Sequence, residues 1–214
     1  MNHEPRRPRY GVLLCINGTG ILNAWVKKTT VPDMSYPEVN RRCAEIPVGS
    51  EGVLMLPFGN GAERMLGNRY TGAEAIGLDL NRHDRFHLLR AAQEGIAFAF
   101  RYGMDVMRET GLRLRVIRAG YANLFLSPVF RQTLATLCGA DIELYNTDGA
   151  LGAARGAALG AGLYASREET FASLRKIDEV RPDPADRDVL ERGYARWKAE
   201  LENRLGRASH GTSV

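Results

Sequence analysis

Two short stretches of small residues have the composition of nucleotide-binding turns. Asn17-Gly18-Thr19-Gly20 follows one apolar run, and Ala119-Gly120-Tyr121-Ala122-Asn123 follows another. Small residues at the carboxyl end of a strand let a phosphate or a base approach the backbone, and a following helix offers N–H groups to an anion. A third stretch, from Asp148 to Gly162, reads D-G-A-L-G-A-A-R-G-A-A-L-G-A-G. Gly152, Gly156 and Gly160 recur every four residues, with Ala153, Ala157 and Ala161 beside them. As a helix, this segment has one face almost without side chains. Three interior glycines cost a helix about 3 kcal/mol relative to alanine. A chain tolerates that where another backbone or a ligand comes very close. Tight packing of the helix on a sheet is the ordinary reading, and a helix beside a nucleotide cleft is the sharper one. A membrane helix is rejected, because Asp148 and Arg155 interrupt a run already short of the ~20 apolar residues a span needs. Together the three small-residue elements could surround one cleft.

Other constellations carry less. No G-x-x-x-x-G-K-[ST] occurs, and the G-x-G at Gly18 fails the dinucleotide fingerprint because position 23 is Asn. No G-x-S-x-G is present. His83 and His87 could share a helical face, but no third ligand is suggested by spacing, so a helix-start role is expected instead. Arg113, Arg115 and Arg118 could form a phosphate patch, although a solvated strand face is the commoner use of such a row. The 3 cysteines are an odd number without C-x-x-C spacing. They suggest neither a disulfide framework nor zinc, and they favour a reducing cytoplasm. Cys15 and Cys138 lie in apolar surroundings and are expected in the core.

The elements that must position these turns are readable from periodicity. Residues 1–9 read as a disordered basic arm. Tyr10 to Ile16 is a continuous apolar run typical of a buried strand. Ile21 to Lys28 reads as a helix with Leu22 and either Trp25 or Val26 inward. A helix is expected from Tyr36 to Ala44, a buried strand from Val53 to Phe58, and a loop with short strands from Gly59 to Asp79. His83 to Thr110 is the longest helical segment, with Gly111 as its stop. Leu112 to Ile117 reads as a strand. Ser127-Pro128 opens a helix that ends near Cys138-Gly139, Ile142 to Tyr145 is a further strand, and Asp148 caps the glycine-rich helix. A last helix, Pro184 to Leu205, puts Leu190, Tyr194, Trp197 and Leu201 on one stripe. Strand, helix, strand, helix in succession argues an α/β layered domain.

The chain has 214 residues, 44% hydrophobic and 25% charged, which suits one large globular domain or two small ones. No apolar run is long enough for a membrane span, and Met1 to Tyr10 lacks a signal-peptide h-region. The net charge of +4 favours small anionic partners and does not by itself argue for nucleic acid.

Taken in order, G-N-G-A-E-R (59–64), L-L-R-A-A-Q-E-G-I-A-F (88–98), V-I-R-A-G (116–120), S-P-V-F-R-Q-T-L-A (127–135) and the glycine-rich stretch 148–162 resemble the C-terminal domain of FGGY-family carbohydrate kinases, xylulokinase-like members above all. The resemblance implies an incomplete ribonuclease H-like domain of the actin/Hsp70 ATPase type, with a mixed sheet flanked by helices. It spans residues 10–166, followed by a helical extension over 167–206 and a disordered tail over 207–214. It also implies transfer of the ATP γ-phosphoryl to a ketose hydroxyl with Mg²⁺. Gly18, Thr19, Gly20 and Asn23 match a family segment beside the nucleotide. Ala119, Gly120 and Asn123 match the turn that meets adenine, although A-G-Y-A-N departs from the usual G-G-G-x-K-S. Glu63-Arg64 matches the family's G-E-R motif, expected to be structural.

The family's catalytic Asp and phosphate loop have no counterpart pattern here, since Asp33 and Asp79 lack the surrounding residues. The expectation is therefore the adenosine half of a ketose kinase, inactive alone, with the sugar pocket in another domain and an unpaired sheet edge near Tyr10 to Ile16. Self-association as a homo-oligomer is compatible with that edge. The alternatives are a non-catalytic nucleotide-binding module derived from such a kinase and, much less favoured, a nucleic-acid binder.

Overall fold

The computed structural model describes residues 11–210, with side chains through residue 206. The basic arm at 1–9 and the end of the tail lie outside the described residues. Helix α3 (Arg85–Glu109) is the centre of the molecule. Asp84 caps it by accepting the N–H groups of Phe86 and His87, and the His87 ring reaches back to the Asp84 N–H. Its stretch from Leu89 to Ala99 is buried throughout, so the helix is covered on all sides rather than on one stripe.

Around it stand α1 (Thr19–Thr30), α2 (Tyr36–Glu45), α4 (Pro128–Cys138) and α7 (Arg187–His210). In α1 the inward residues are Leu22 and Val26, while Trp25 is 61% exposed. Strands β1 (Leu54–Phe58) and β2 (Gly72–Ile76) form an antiparallel pair against α3. The stripe of α7 is buried as its period requires, and Trp197 Nε1 donates to the Met55 carbonyl of β1 at 2.9 Å. The Phe58, Phe98, Tyr102 and Tyr194 rings surround that indole. Helix α7 continues to His210, into the segment expected to be tail.

A second sheet is mixed. β3 (Val116–Gly120) runs parallel to β4 (Asp141–Tyr145), and β5 (Lys176–Val180) is antiparallel to β4. Helix α4 makes the crossover between the parallel pair, and α5 (Gly149–Gly160) follows β4. The short α6 (Arg167–Thr170) precedes β5. The segment expected to be a helical extension thus also supplies a strand.

Several sequence expectations are corrected. Residues 11–16 form no strand, because no backbone ladder is offered to them among the described residues. The Leu14 side chain lies against Gly103 of α3, and Leu13 is 77% exposed. Cys15 is exposed for the same reason, whereas Cys138 is in the core. Among the described residues the edges of the three-stranded sheet are β3 and β5, not the segment 11–16. Strand β3 also begins four residues later than expected, because its pairing with β4 starts at Val116 and Asp141. Finally, the glycine row of α5 packs on no other described element: a Cβ at Gly152, Gly156 or Gly160 meets no described atom within 4 Å. The helix is anchored instead by its one buried residue, Arg155, which donates to Thr147 Oγ1 and Ser173 Oγ, each at 3.1 Å.

Candidate functional site

The first turn is built by a buried carboxylate. Glu63 is 0% exposed, and its two oxygens accept the N–H groups of Asn17 and Gly18, each at 3.0 Å. The Asn17 carboxamide donates to the Ala62 carbonyl, and Asn60 donates to the Asn17 carbonyl. The expected structural role of Glu63 therefore has a concrete form: it fixes the turn that starts α1. Arg64, next to it, is exposed. Gly18 has no room for a side chain, since a Cβ there would overlap the Pro57 carbonyl oxygen. The N-cap of α1 is Gly18, which has no side chain to cap the helix.

The second turn leaves the carboxyl end of β3. Gly120 lies beside Tyr145 at the end of β4, and a Cβ at Gly120 would overlap the Thr147 carbonyl oxygen. The strand ends are thus drawn together, and the segments that follow both strands line one cleft, the place where open α/β sheets hold ligands. Asn123 holds φ +53°, a left-handed backbone that Asn tolerates better than most residues. Ser127 then caps α4, with Pro128 at its first position.

These turns and α5 meet in one cleft of about 660 Å³. Thr19, Gly20 and Asn23 of α1, Gly120 and Asn123 of the second turn, and Asp148 and Gly149 of α5 line it. Gly18 lies behind α1 against β1, and Ala119 is half-buried within β3; neither lines the cleft. Sequence reasoning missed the wall formed by Tyr36 and Asn40 of α2, Phe100 of α3 and Phe130 of α4. The i, i+4 spacing of Tyr36 and Asn40 is a readable signal that one face of α2 presents both. Asp148, expected only as a cap, has a second place. Its carboxylate does accept the Leu151 N–H at 2.7 Å, but it is in addition the acidic side chain of the cleft. No Lys or Arg lines the cleft among the described residues.

The remaining constellations do not line the cleft. His87 serves the start of α3. Arg118 pairs with Glu143 on a solvated face, and Arg113 and Arg115 are exposed. Among the described residues no group of three or more His, Cys, Asp or Glu could hold a metal ion. Burial pushes the Cys43 and Cys138 thiols up to about 12, which keeps both protonated and unreactive. No described helix is long and apolar enough to cross a membrane.

A mixed sheet flanked by helices, with a cleft at the carboxyl ends of its parallel strands, defines an α/β domain with its cleft where open α/β sheets place ligands. Comparison with known proteins narrows that class. The pattern of the FGGY family of carbohydrate kinases, C-terminal domain, matches residues 3–165. The chain belongs to that family. It is similar to the xylulose kinase of Haemophilus influenzae, 30% identical over 179 residues, covering 79% of this chain and 35% of the relative. It is likewise similar to the L-xylulose/3-keto-L-gulonate kinase of Escherichia coli, 30% identical over 173 residues, covering 78% and 33%. Among solved structures, the xylulose kinase of Rhodospirillum rubrum superposes with a TM-score of 0.74 at 27% identity, covering 89% of this chain and 39% of that one. The fold is therefore the actin/Hsp70-like ATPase fold of FGGY sugar kinases. The chain spans about a third of the length of the curated relatives it matches.

Proposed function

We propose that this chain contributes the adenosine side of the ATP cleft of an ATP-dependent ketose kinase, with D-xylulose as the acceptor sugar. The observation that carries the reading is the meeting of Thr19, Gly20 and Asn23 with Gly120, Asn123 and Gly149 around one cleft. The chemistry of that cleft suits adenosine better than a triphosphate. Its walls are aromatic and aliphatic, its polar groups are amides and hydroxyls, and Asp148 supplies a carboxylate that repels phosphate but accepts hydrogen bonds from a ribose hydroxyl or a base amino group. The choice of sugar rests on the similarity to xylulose kinases.

Phosphoryl transfer needs a base beside the attacking hydroxyl and cationic clamps on the phosphates. In this reading those groups, the sugar pocket and the groups that retain Mg²⁺ come from another part of the kinase. When bound, Mg²⁺ offsets charge on the transferring phosphates. The reaction is a cytoplasmic one, and the chain alone transfers no phosphoryl group. The test is ADP release from ATP, Mg²⁺ and D-xylulose, with the chain alone and with the N-terminal portion of a xylulose kinase relative added. Release only in the mixture is the expected result. Release by the chain alone contradicts the division of labour, and ATP binding without release in either case favours a non-catalytic nucleotide module.

A further inference from the structure

One polar side chain of the cleft has its orientation dictated from inside the protein. Ser127, 2% exposed, accepts the Phe130 N–H on its Oγ, and the same hydroxyl donates to Gln93 Oε1 at 2.5 Å. Gln93, 1% exposed on α3, in turn donates from Nε2 to Asn40 Oδ1 at 3.4 Å. A carboxamide carries its acceptor and its donors at opposite ends. The buried Ser127 hydroxyl uses Gln93 Oε1 as its acceptor, so Gln93 presents its NH₂ to Asn40. Asn40 must answer with its carbonyl oxygen. Its own NH₂ is then the group left over, and Asn40 lines the cleft. Turning Asn40 around would set two NH₂ groups against each other and leave a buried donor unpaired.

We propose that Asn40 reads the nucleobase by donating to a ring nitrogen of the purine, and that Gln93 is the positioning residue that fixes it as a donor. The inference rests on the adenosine reading of the cleft and names the group that selects the base. The neighbouring Tyr36 and Phe130 give the flat apolar surroundings in which a heteroaromatic ring sits, with its lone pairs in the ring plane. A pocket that gives a hydrogen bond rejects an analogue lacking the acceptor far more strongly than an apolar pocket does.

The experiment titrates the 214-residue chain with adenosine and with its 1-deaza, 3-deaza and 7-deaza analogues, followed by NMR. Asn40→Asp is the informative variant, because its carboxylate still accepts from Gln93 while the donor facing the cleft becomes an acceptor. One deaza analogue is expected to bind the natural chain about tenfold more weakly than adenosine. In Asn40→Asp, adenosine falls to the affinity of that analogue and the difference between the two vanishes. Gln93→Leu is expected to reduce the same ratio, a readout that a purely structural role would not move; a full ratio there removes Gln93 from the proposal. Adenosine bound equally by Asn40→Asp and the natural chain overturns the role of Asn40 and leaves the adenosine reading standing. No binding of adenosine by the natural chain overturns the adenosine reading itself.

Discussion

The Glu63 carboxylate accepts the Gly18 N–H at 3.0 Å across 45 positions of sequence, with its other oxygen on Asn17. A fully buried carboxylate thus fixes the turn on which the α1 side of the cleft depends. Glu63→Ala leaves two N–H groups without their acceptor and is expected to destabilise the chain by about 3 kcal/mol. Glu63→Gln keeps one acceptor oxygen and is expected to cost roughly 1 kcal/mol. Urea unfolding measures both, and equal effects of the two variants would argue that the carboxylate is not the organising group.

The open glycine face of α5 makes a prediction of the opposite sign. Gly152 and Gly156 are ordinary helical positions, and a Cβ added at either would have nothing within 4 Å. Gly152→Ala and Gly156→Ala are each expected to stabilise the isolated chain by about 1 kcal/mol. Thermal and urea unfolding read this directly. Destabilisation instead would mean that the face is covered in solution.

Two of the cleft glycines, Gly120 and Gly20, separate packing from binding. Gly120 has the Thr147 carbonyl against it, so Gly120→Ala must displace backbone and is expected to lose stability whatever the ligand does. Gly20 lines the cleft with open space around it. Gly20→Trp is expected to change stability by no more than about 1 kcal/mol while lowering adenosine affinity at least tenfold. Affinity unchanged in Gly20→Trp would sink the α1 side of the site.

A pH dependence follows from the joint between α3 and α7. Burial pushes the Asp105 carboxyl up, but hydrogen bonds from Tyr194 and Arg101 outweigh it and hold the carboxyl below its ordinary value. The unfolded chain therefore takes up that proton first as pH falls. The stabilisation is complete above the ordinary carboxylate value of about 4 and is lost as pH drops through the lower folded value. Asp105→Asn is expected to flatten the stability profile in that acid window, as judged by urea midpoints from neutral pH downward. An unchanged profile would mean that the carboxylate is not coupled to folding.

Much of the helical frame is legible in the sequence because local rules decide it. Ser127-Pro128 and Asp148 are caps by residue type, and Leu190, Tyr194, Trp197 and Leu201 announce their stripe by spacing. The run from Tyr10 to Ile16 misleads because apolar character does not supply a partner strand. β5 escapes sequence reading because Lys176 to Val180 carries no apolar period, and only its register with β4 makes it a strand. In the cleft, the small-residue turns are visible as composition. The relay from Ser127 through Gln93 to Asn40 is not, because it joins residues on three different elements.

The most direct test of the central claim is an amide NMR titration of the chain with adenosine and, separately, with ATP. The account predicts that both ligands shift the same amides, those of Thr19, Gly20, Gly120 and Asn123, because the recognised moiety is common to them. Shifts with ATP alone, or shifts confined to residues away from these turns, would contradict it.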